Sequence, residues 1–346
     1  MSDSDRIVTV EGGHREMGRQ LGEQLRDEIA ETIELLRAEI PAAERDGVDG
    51  RVAAYAPFVE RHTPHLADEL RGLAEGARIR ELDALFVQVR FELIGYEADG
   101  CTSFAVPRAG AVLTGQNVDT TPQYEPLGRV LRMRPDDGPD VLMYTYMPGM
   151  IGYLGINGAG LSCLGNAVVC PDWRAGFPRY LVVRRALEQE TVAGAVAAIR
   201  GLERASSINL LLSDRAGVIR DVELTVDEVA VIEPGPAGLA HANHYVHDAF
   251  RACDLLRPIL PDSEERLDRM GGLLGGIAGD DRLAAAKAAL SDHTGYPTSI
   301  CRHYDADGPP TYWHQTIASL IAEPAEGRLH VCFGNPCQRE YVTFDL

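Results

Sequence analysis

Lysine is almost missing from this 346-residue chain: Lys287 is the only one among 33 basic residues, and 52 acidic residues bring the formal net charge to −19. An acidic surface with no basic cluster repels phosphate backbones, which argues against nucleic acid and anionic membranes as partners. No apolar run approaches the roughly 20 residues of a membrane span. The opening stretch MSDSDRIVTVEGG carries no basic segment followed by an apolar one, so a cytoplasmic protein with no membrane partner is expected. No G-x-S-x-G serine elbow occurs. GINGAG places its glycines at 155, 158 and 160, outside the spacing of a dinucleotide loop, and no helical pattern follows it. Internal repeats and low-complexity linkers are absent too. Seven cysteines, an odd number scattered along the chain, exclude a disulfide framework and read mostly as buried reduced thiols.

What is present is an ordinary folding composition, 45% apolar and 25% charged. RIVTVEG alternates like a strand. After it, Met17, Leu21, Leu25, Ile29, Ile33 and Leu36 form one apolar stripe, which predicts a helix over 14–40. Helical patterns return over 51–75 and 82–96. From Cys101 onward the character changes to short β-like runs: CTSFAV, AVLTGQNVD, RVLRMRP, VLMYTYM, and a hairpin in YLGINGAGLSCLGNAVV that turns at Asn157-Gly158-Ala159-Gly160. Helices are predicted over 179–201 and 248–290, with strands between them and at the C-terminus. Strands in blocks separated by helices predict an α+β fold of antiparallel sheets layered with helices.

Three places carry candidate chemistry. HANHYVH spaces His241, His244 and His247 three apart, which on a helix would offer metal ligands. Upstream Pro234-Gly235-Pro236 favours instead a strand end running into a loop. Cys332 and Cys337, in and just beyond a closing strand, read as packing. Cys101 reads on its own as a small core hydrophobe, but it follows Gly100, and that junction permits a reaction. Glycine brings no Cβ to crowd its carbonyl, so the neighbouring thiol can attack it. The resulting thioester, once hydrolysed, would free Cys101 as a new N-terminus. Its α-amine, with an ordinary pKa near 8, would then lie within reach of its own thiol.

In order along the chain, EGGHREMGRQLGEQL, DGCTSFAV, GQNVD, GINGAGLSCLGNA, HANHY and ICRH resemble motifs of the autoproteolytic acyltransferases and hydrolases related to acyl-coenzyme A:isopenicillin N acyltransferase. These are N-terminal nucleophile hydrolases. The resemblance implies a four-layer αββα sandwich, with residues 1–100 as an α-rich segment that stays associated and 101–346 as the core that begins at the nucleophile.

Carried over position by position, the resemblance makes Gly100 the donor of the scissile carbonyl and Cys101 the nucleophile of both self-cleavage and catalysis. Ser103 would position the thiol, and a hydroxyl two residues along a strand does share its face. Asp119 would hold the new amine. Asn243 would donate to the oxyanion, worth roughly 3 to 4 kcal/mol by analogy with other such donors. Cys301 and Arg302 would line the site, Arg302 holding a substrate carboxylate and Cys301 standing where the family carries a small polar residue. Taken singly, Asp119 reads equally as a turn residue, Asn243 as a loop cap and Arg302 as a surface ion pair.

The implied activity is hydrolysis of a small N-acylated amine or amino acid through a thioester, with no cofactor and no metal. Acyl transfer from coenzyme A is the alternative. A zinc hydrolase on His241, His244 and His247, or a non-catalytic binding protein with Cys101 merely buried, are the readings from other classes.

Overall fold

The computed structural model describes residues 2–94, 100–108, 111–278 and 281–346; the end of the predicted 82–96 helix and Asp99 of the DGCTSFAV motif lie outside the described residues. In chain order β1 (Ile7–Gly12) leads into α1 (His14–Gln24), α2 (Arg26–Glu39), α3 (Val48–Ala53), α4 (Ala56–His62), α5 (Pro64–Ala77) and α6 (Glu81–Ile94). Then come β2 (Gly100–Arg108), β3 (Ala111–Thr120), β4 (Arg129–Pro135), β5 (Val141–Thr145), β6 (Gly155–Asn157), β7 (Ser162–Asn166), α7 (Arg179–Leu187) and α8 (Val192–Arg200). The chain continues through β8 (Ile208–Ser213), β9 (Ile219–Leu224), β10 (Val229–Ile232), β11 (Leu239–His241), α9 (Asp262–Ile277), α10 (Arg282–Leu290), β12 (Gln315–Glu323), β13 (Arg328–Cys332) and β14 (Val342–Asp345).

These strands make two sheets. One has eight strands in the order β1-β4-β5-β6-β7-β8-β9-β10, the other six in the order β11-β2-β3-β12-β13-β14. β2 and β3 face β7 and β8 across the sandwich, α7 and α8 cover the larger sheet, and α9 and α10 cover the smaller one. The four layers are therefore helix, sheet, sheet, helix, as the sequence leads one to expect. No described helix is long and apolar enough to cross a membrane.

Two details differ from the sequence reading. The stripe over 14–40 is split at Leu25, whose φ of −117° and ψ of 27° bend the chain between α1 and α2. The cause is packing: Gly18 and Gly22 of α1 press against the backbone of α5 so closely that a Cβ on Gly18 would lie 1.9 Å from the Glu69 carbonyl oxygen. Bending at Leu25 lets α1 keep that contact while α2 buries Ile29, Ile33 and Leu36. The second detail is that β1 pairs with β4 in parallel, Ile7 against Val130 through Gly12 against Pro135. A parallel pair needs a long crossover, and the helices of the first hundred residues supply it. Segment 1–100 is thus tied into the rest by this strand and, among other bonds, by the buried Glu69 carboxylate, which accepts from both Nη1 and Nη2 of Arg184 at 3.0 Å.

Candidate active site

Pairing of β2 with β3 puts Gly100 opposite Asp119 and Cys101 opposite Val118. On the other side of β2, β11 pairs His241 with Ser103, and the chain leaving β11 folds Asn243 back onto Cys101. The Cys101 backbone N–H donates to Asn243 Oδ1 at 2.8 Å, and Asn243 Nδ2 donates to Cys101 Sγ at 3.0 Å and to the Ala167 carbonyl at 3.1 Å. Asn243 is itself anchored from α9, its own N–H donating to Ser263 Oγ at 2.7 Å.

Sequence reasoning missed the residue that organises this group. Arg266, fully buried on α9, donates to the Cys101 carbonyl (2.8 Å), Thr102 Oγ1 (2.9 Å), Asn243 Oδ1 (2.9 Å) and Asp262 Oδ2 (2.8 Å). Asp262 Oδ2 also accepts from Arg302 Nη2 at 2.7 Å. Burial pushes Asp262 up, but the two guanidinium groups outweigh it and hold the carboxyl below its ordinary range. Arg302 is therefore no surface ion pair: it is 0% exposed, with Nε and Nη1 lacking a hydrogen-bond partner among the described residues.

Asp119 is likewise buried on β3 rather than in a turn. Its Oδ1 accepts from Thr316 Oγ1 at 2.7 Å, while Oδ2 is buried without a hydrogen-bond partner among the described residues. Burial raises its pKa against the pull of Arg302 and Arg266, so it favours a proton more than a free aspartate does. The Cys101 thiol is also pushed up by burial, with hydrogen bonding from the Ala167 backbone and Asn243 acting the other way. Gly100 lies between these groups. A Cβ there would come within 3.1 Å of both Arg302 Nη1 and Asp119 Oδ2, a crowding that only glycine avoids.

A narrow pocket opens on Gly100, Cys101 and Asp119, walled by Phe91, Tyr146, Tyr153 and Tyr180 and by Arg179. Arg179 is 5% exposed and stacks its guanidinium 3.9 Å over the centre of the Phe91 ring. Its Nε and Nη1 have no hydrogen-bond partner among the described residues. Glu92, the nearby carboxylate, accepts instead from the Arg179 backbone N–H at 2.8 Å and from Ser206 Oγ at 3.0 Å.

The remaining residues singled out in the sequence lie elsewhere. Ser103 turns its hydroxyl to Asn166 Oδ1 at 2.7 Å rather than to the thiol. Cys301 is not among the residues lining this pocket; its Sγ lies 3.6 Å from both Cys337 Sγ and His303 Nε2. His241 is buried between Glu223 Oε1 (3.0 Å) and the Ala242 carbonyl (2.9 Å). His244 faces Ser263 Oγ at 2.8 Å and His247 accepts from the Ala249 N–H at 3.3 Å, so the three imidazoles do not converge as a zinc site on HANHYVH would require.

The model of the acyl-coenzyme A:6-aminopenicillanic acid acyltransferase family matches residues 107–338. The match begins just past Cys101 and includes Asp119, Asn243, Cys301 and Arg302. No curated protein matches the chain in sequence. Among solved structures, the chain is similar to penicillin V acylase from Agrobacterium tumefaciens, 14% identical with a TM-score of 0.51 over 71% of this chain and 86% of that one. It is also similar to a mutant of conjugated bile acid hydrolase from Clostridium perfringens (14%, TM-score 0.49, 71% and 97%). A third is the Caenorhabditis elegans ortholog of N-acylethanolamine-hydrolyzing acid amidase (13%, TM-score 0.48, 65% and 93%). At this identity the likeness to the penicillin V acylase is one of fold. With two facing sheets between helical layers and a family match over most of its length, the chain belongs to the acyl-coenzyme A:6-aminopenicillanic acid acyltransferase family.

Proposed function

We propose that the chain is a self-cleaving cysteine amidohydrolase that cuts itself between Gly100 and Cys101 into residues 1–100 and 101–346. The mature enzyme opens a small N-acylated amine or amino acid through a thioester on Cys101. One observation carries this reading: Asn243 holds both the nitrogen that becomes the free amine and the sulfur that attacks, at 2.8 and 3.0 Å.

In the first step Sγ bonds to the Gly100 carbonyl carbon, the bond from that carbon to the Cys101 nitrogen breaks, and the thiol proton passes to the departing nitrogen. Water then adds to the thioester, leaving a Gly100 carboxylate and restoring the thiol. Burial keeps the thiol neutral while the chain is intact. The freed amine, with an ordinary pKa near 8, becomes the base that takes the thiol proton in later turnovers. Asp119, on the rung opposite Gly100, orients that amine. The two pieces stay together because β1 and Glu69 belong to one and their partners β4 and Arg184 to the other.

The pocket also bears on the substrate. Its walls suit a flat apolar group, and the guanidinium of Arg179, whose Nε and Nη1 have no hydrogen-bond partner among the described residues, suits an anion such as a carboxylate. Arg302, paired to Asp262 beneath Gly100, is better suited to steadying Asp119 than to meeting substrate. Acyl transfer to an amine in place of water is the second reading, favoured by the name of the matched family.

Mass spectrometry of the denatured, purified chain is expected to give two fragments, and Cys101→Ala a single intact chain. A panel of N-acyl amino acids and acyl thioesters, assayed with and without an acceptor amine, separates hydrolysis from transfer. An intact wild-type chain, or full activity in Cys101→Ala, would overturn the proposal.

A further inference from the structure

Outside the residues that line the pocket, four side chains from three separate stretches of sequence meet: His293 after α10, Cys301 and His303 flanking Arg302, and Cys337 beyond β13. One ligand atom from each lies within 4.8 Å of every other. The measured edges are 3.6 Å between Cys301 Sγ and Cys337 Sγ, 3.6 Å from Cys301 Sγ to His303 Nε2, 3.4 Å from Cys337 Sγ to His303 Nε2, and 3.1 Å between the Nε2 atoms of His293 and His303. Zinc held tetrahedrally, at about 2.3 Å from sulfur and about 2.0 Å from nitrogen, spaces its ligands about 3.8 Å sulfur to sulfur, about 3.5 Å sulfur to nitrogen and about 3.3 Å nitrogen to nitrogen. The three kinds of edge fall within about 0.2 Å of those values.

We propose that His293, Cys301, His303 and Cys337 form a structural zinc site. Two thiolates and two imidazoles select a borderline-soft cation of tetrahedral preference, and hard cations such as magnesium or calcium do not suit sulfur. Four protein ligands complete the coordination, which is the mark of a structural rather than a catalytic site. Asn335 supplies outer support, its Nδ2 donating to Cys301 Sγ at 3.5 Å and to the Arg302 carbonyl at 2.7 Å. His293 and Cys337 are exposed, which gives an ion its way in. Under this proposal Cys337, which reads in the sequence as packing, serves as a ligand, a departure from the expectation of no metal.

The site explains why a cysteine stands at 301. Zinc would fasten the residues on both sides of Arg302 to the turn that carries Cys337, and so fix the guanidinium that lies beside Gly100 and Asp262. It acts through Arg302 as a positioning device and touches no residue lining the pocket. Its occupancy is independent of the reaction proposed above.

The test is made on the untagged full-length chain, purified under reducing conditions and analysed for metal by mass spectrometry. About one zinc per chain is expected, displaced by cobalt to give the absorption bands of tetrahedral, thiolate-bound Co²⁺. Cys301→Ser and Cys337→Ser should each lose the zinc, whereas Cys332→Ser, outside the cluster, should retain it. Substoichiometric zinc with no thiolate-bound cobalt spectrum in the wild-type chain would overturn the proposal even if every variant misfolded. So would a Cys301–Cys337 disulfide that persists in the purified, metal-exposed protein.

Discussion

Asn243 grips Cys101 at two atoms, its Oδ1 accepting from the backbone nitrogen and its Nδ2 donating to the thiol. The side chain cannot rotate to improve one contact without losing the other, and Arg266 on Oδ1 fixes which end faces the sulfur. Replacing Asn243 with Asp keeps the acceptor for Cys101 and Arg266 but removes the donor. That variant is expected to fold and to lose about 100- to 1,000-fold in kcat, the usual loss for one oxyanion donor. A kcat within twofold of wild type would remove Asn243 from the chemistry.

Gly100 faces a different constraint. A Cβ at this position would meet Arg302 Nη1 and Asp119 Oδ2, both at 3.1 Å, and each side chain is anchored through its other terminal atom, Arg302 Nη2 on Asp262 and Asp119 Oδ1 on Thr316, which leaves little room to yield. Gly100→Ala is expected to fold yet cut itself at least about tenfold more slowly, since displacing packed groups costs on the order of 1 kcal/mol or more. A time course of the intact chain on a denaturing gel checks this. Cleavage at the wild-type rate would mean that the pair tolerates a methyl group.

Arg179 lines the pocket, and under the proposed function it meets the anion of the substrate. A charge-assisted hydrogen bond to a buried anion contributes about 1.5 to 3 kcal/mol, so Arg179→Met should raise KM for carboxylate-bearing acyl compounds about 10- to 100-fold. For a neutral analogue of the same shape KM should stay put, and self-cleavage should be unaltered. Equal losses on both substrates would make Arg179 a structural residue stacked on Phe91.

Why some of these residues were legible in the sequence and others were not follows from how each is held. Gly100 and Cys101 stood out because a glycine before a thiol permits an acyl shift, Asp119 and Asn243 only through the resemblance of their motifs, and the strand blocks follow from alternation. The rung joining Gly100 to Asp119 was not readable, because register depends on where β3 turns back. Arg266 and Asp262 are an i,i+4 pair on a helix, which in sequence looks like any solvated pair. Arg179 did leave a signal, a cation at the first position of a helix, where the macrodipole disfavours positive charge. The meeting of His293, Cys301, His303 and Cys337 left none, since three separate segments supply them.

The first and fifth helices rest on a packing device that a pair of substitutions can separate from helix propensity. A Cβ on Gly72 would lie 1.9 Å from the Arg15 carbonyl oxygen, whereas one on Gly271 of α9 would meet nothing within 4 Å. Gly72→Ala should therefore cost about 2 to 3 kcal/mol by forcing the helices apart. Gly271→Ala should gain up to about 1 kcal/mol from propensity alone. Denaturant melts of the two variants decide it, and equal effects would deny the close helix contact.

His241 makes the stability of the Asn243 loop depend on pH. Burial lowers its pKa, but Asp221 and Glu223 on β9, with the Ala242 carbonyl, outweigh that and bring it up to about 9. Glu223 also accepts from the Val246 N–H, and from the His247 N–H at 3.0 Å, so the imidazolium holds the carboxylate that shapes the loop just past Asn243. A folded-state pKa above the ordinary 6.5 means that the stabilisation is complete below about 6.5 and lost as pH rises through about 9. Asp221, brought up to about 6 by burial, titrates below that upper range. Its own effect, present at low pH and lost as pH rises through about 6, is therefore over before the range is reached. Between pH 7 and 10 the wild-type chain should lose stability to urea faster than His241→Gln, which keeps a neutral donor but cannot titrate. The difference between the two curves isolates His241 from the cysteines and tyrosines that ionise in the same range. Parallel curves would mean that the imidazole is neutral in the folded chain and that Glu223 shapes the loop without it.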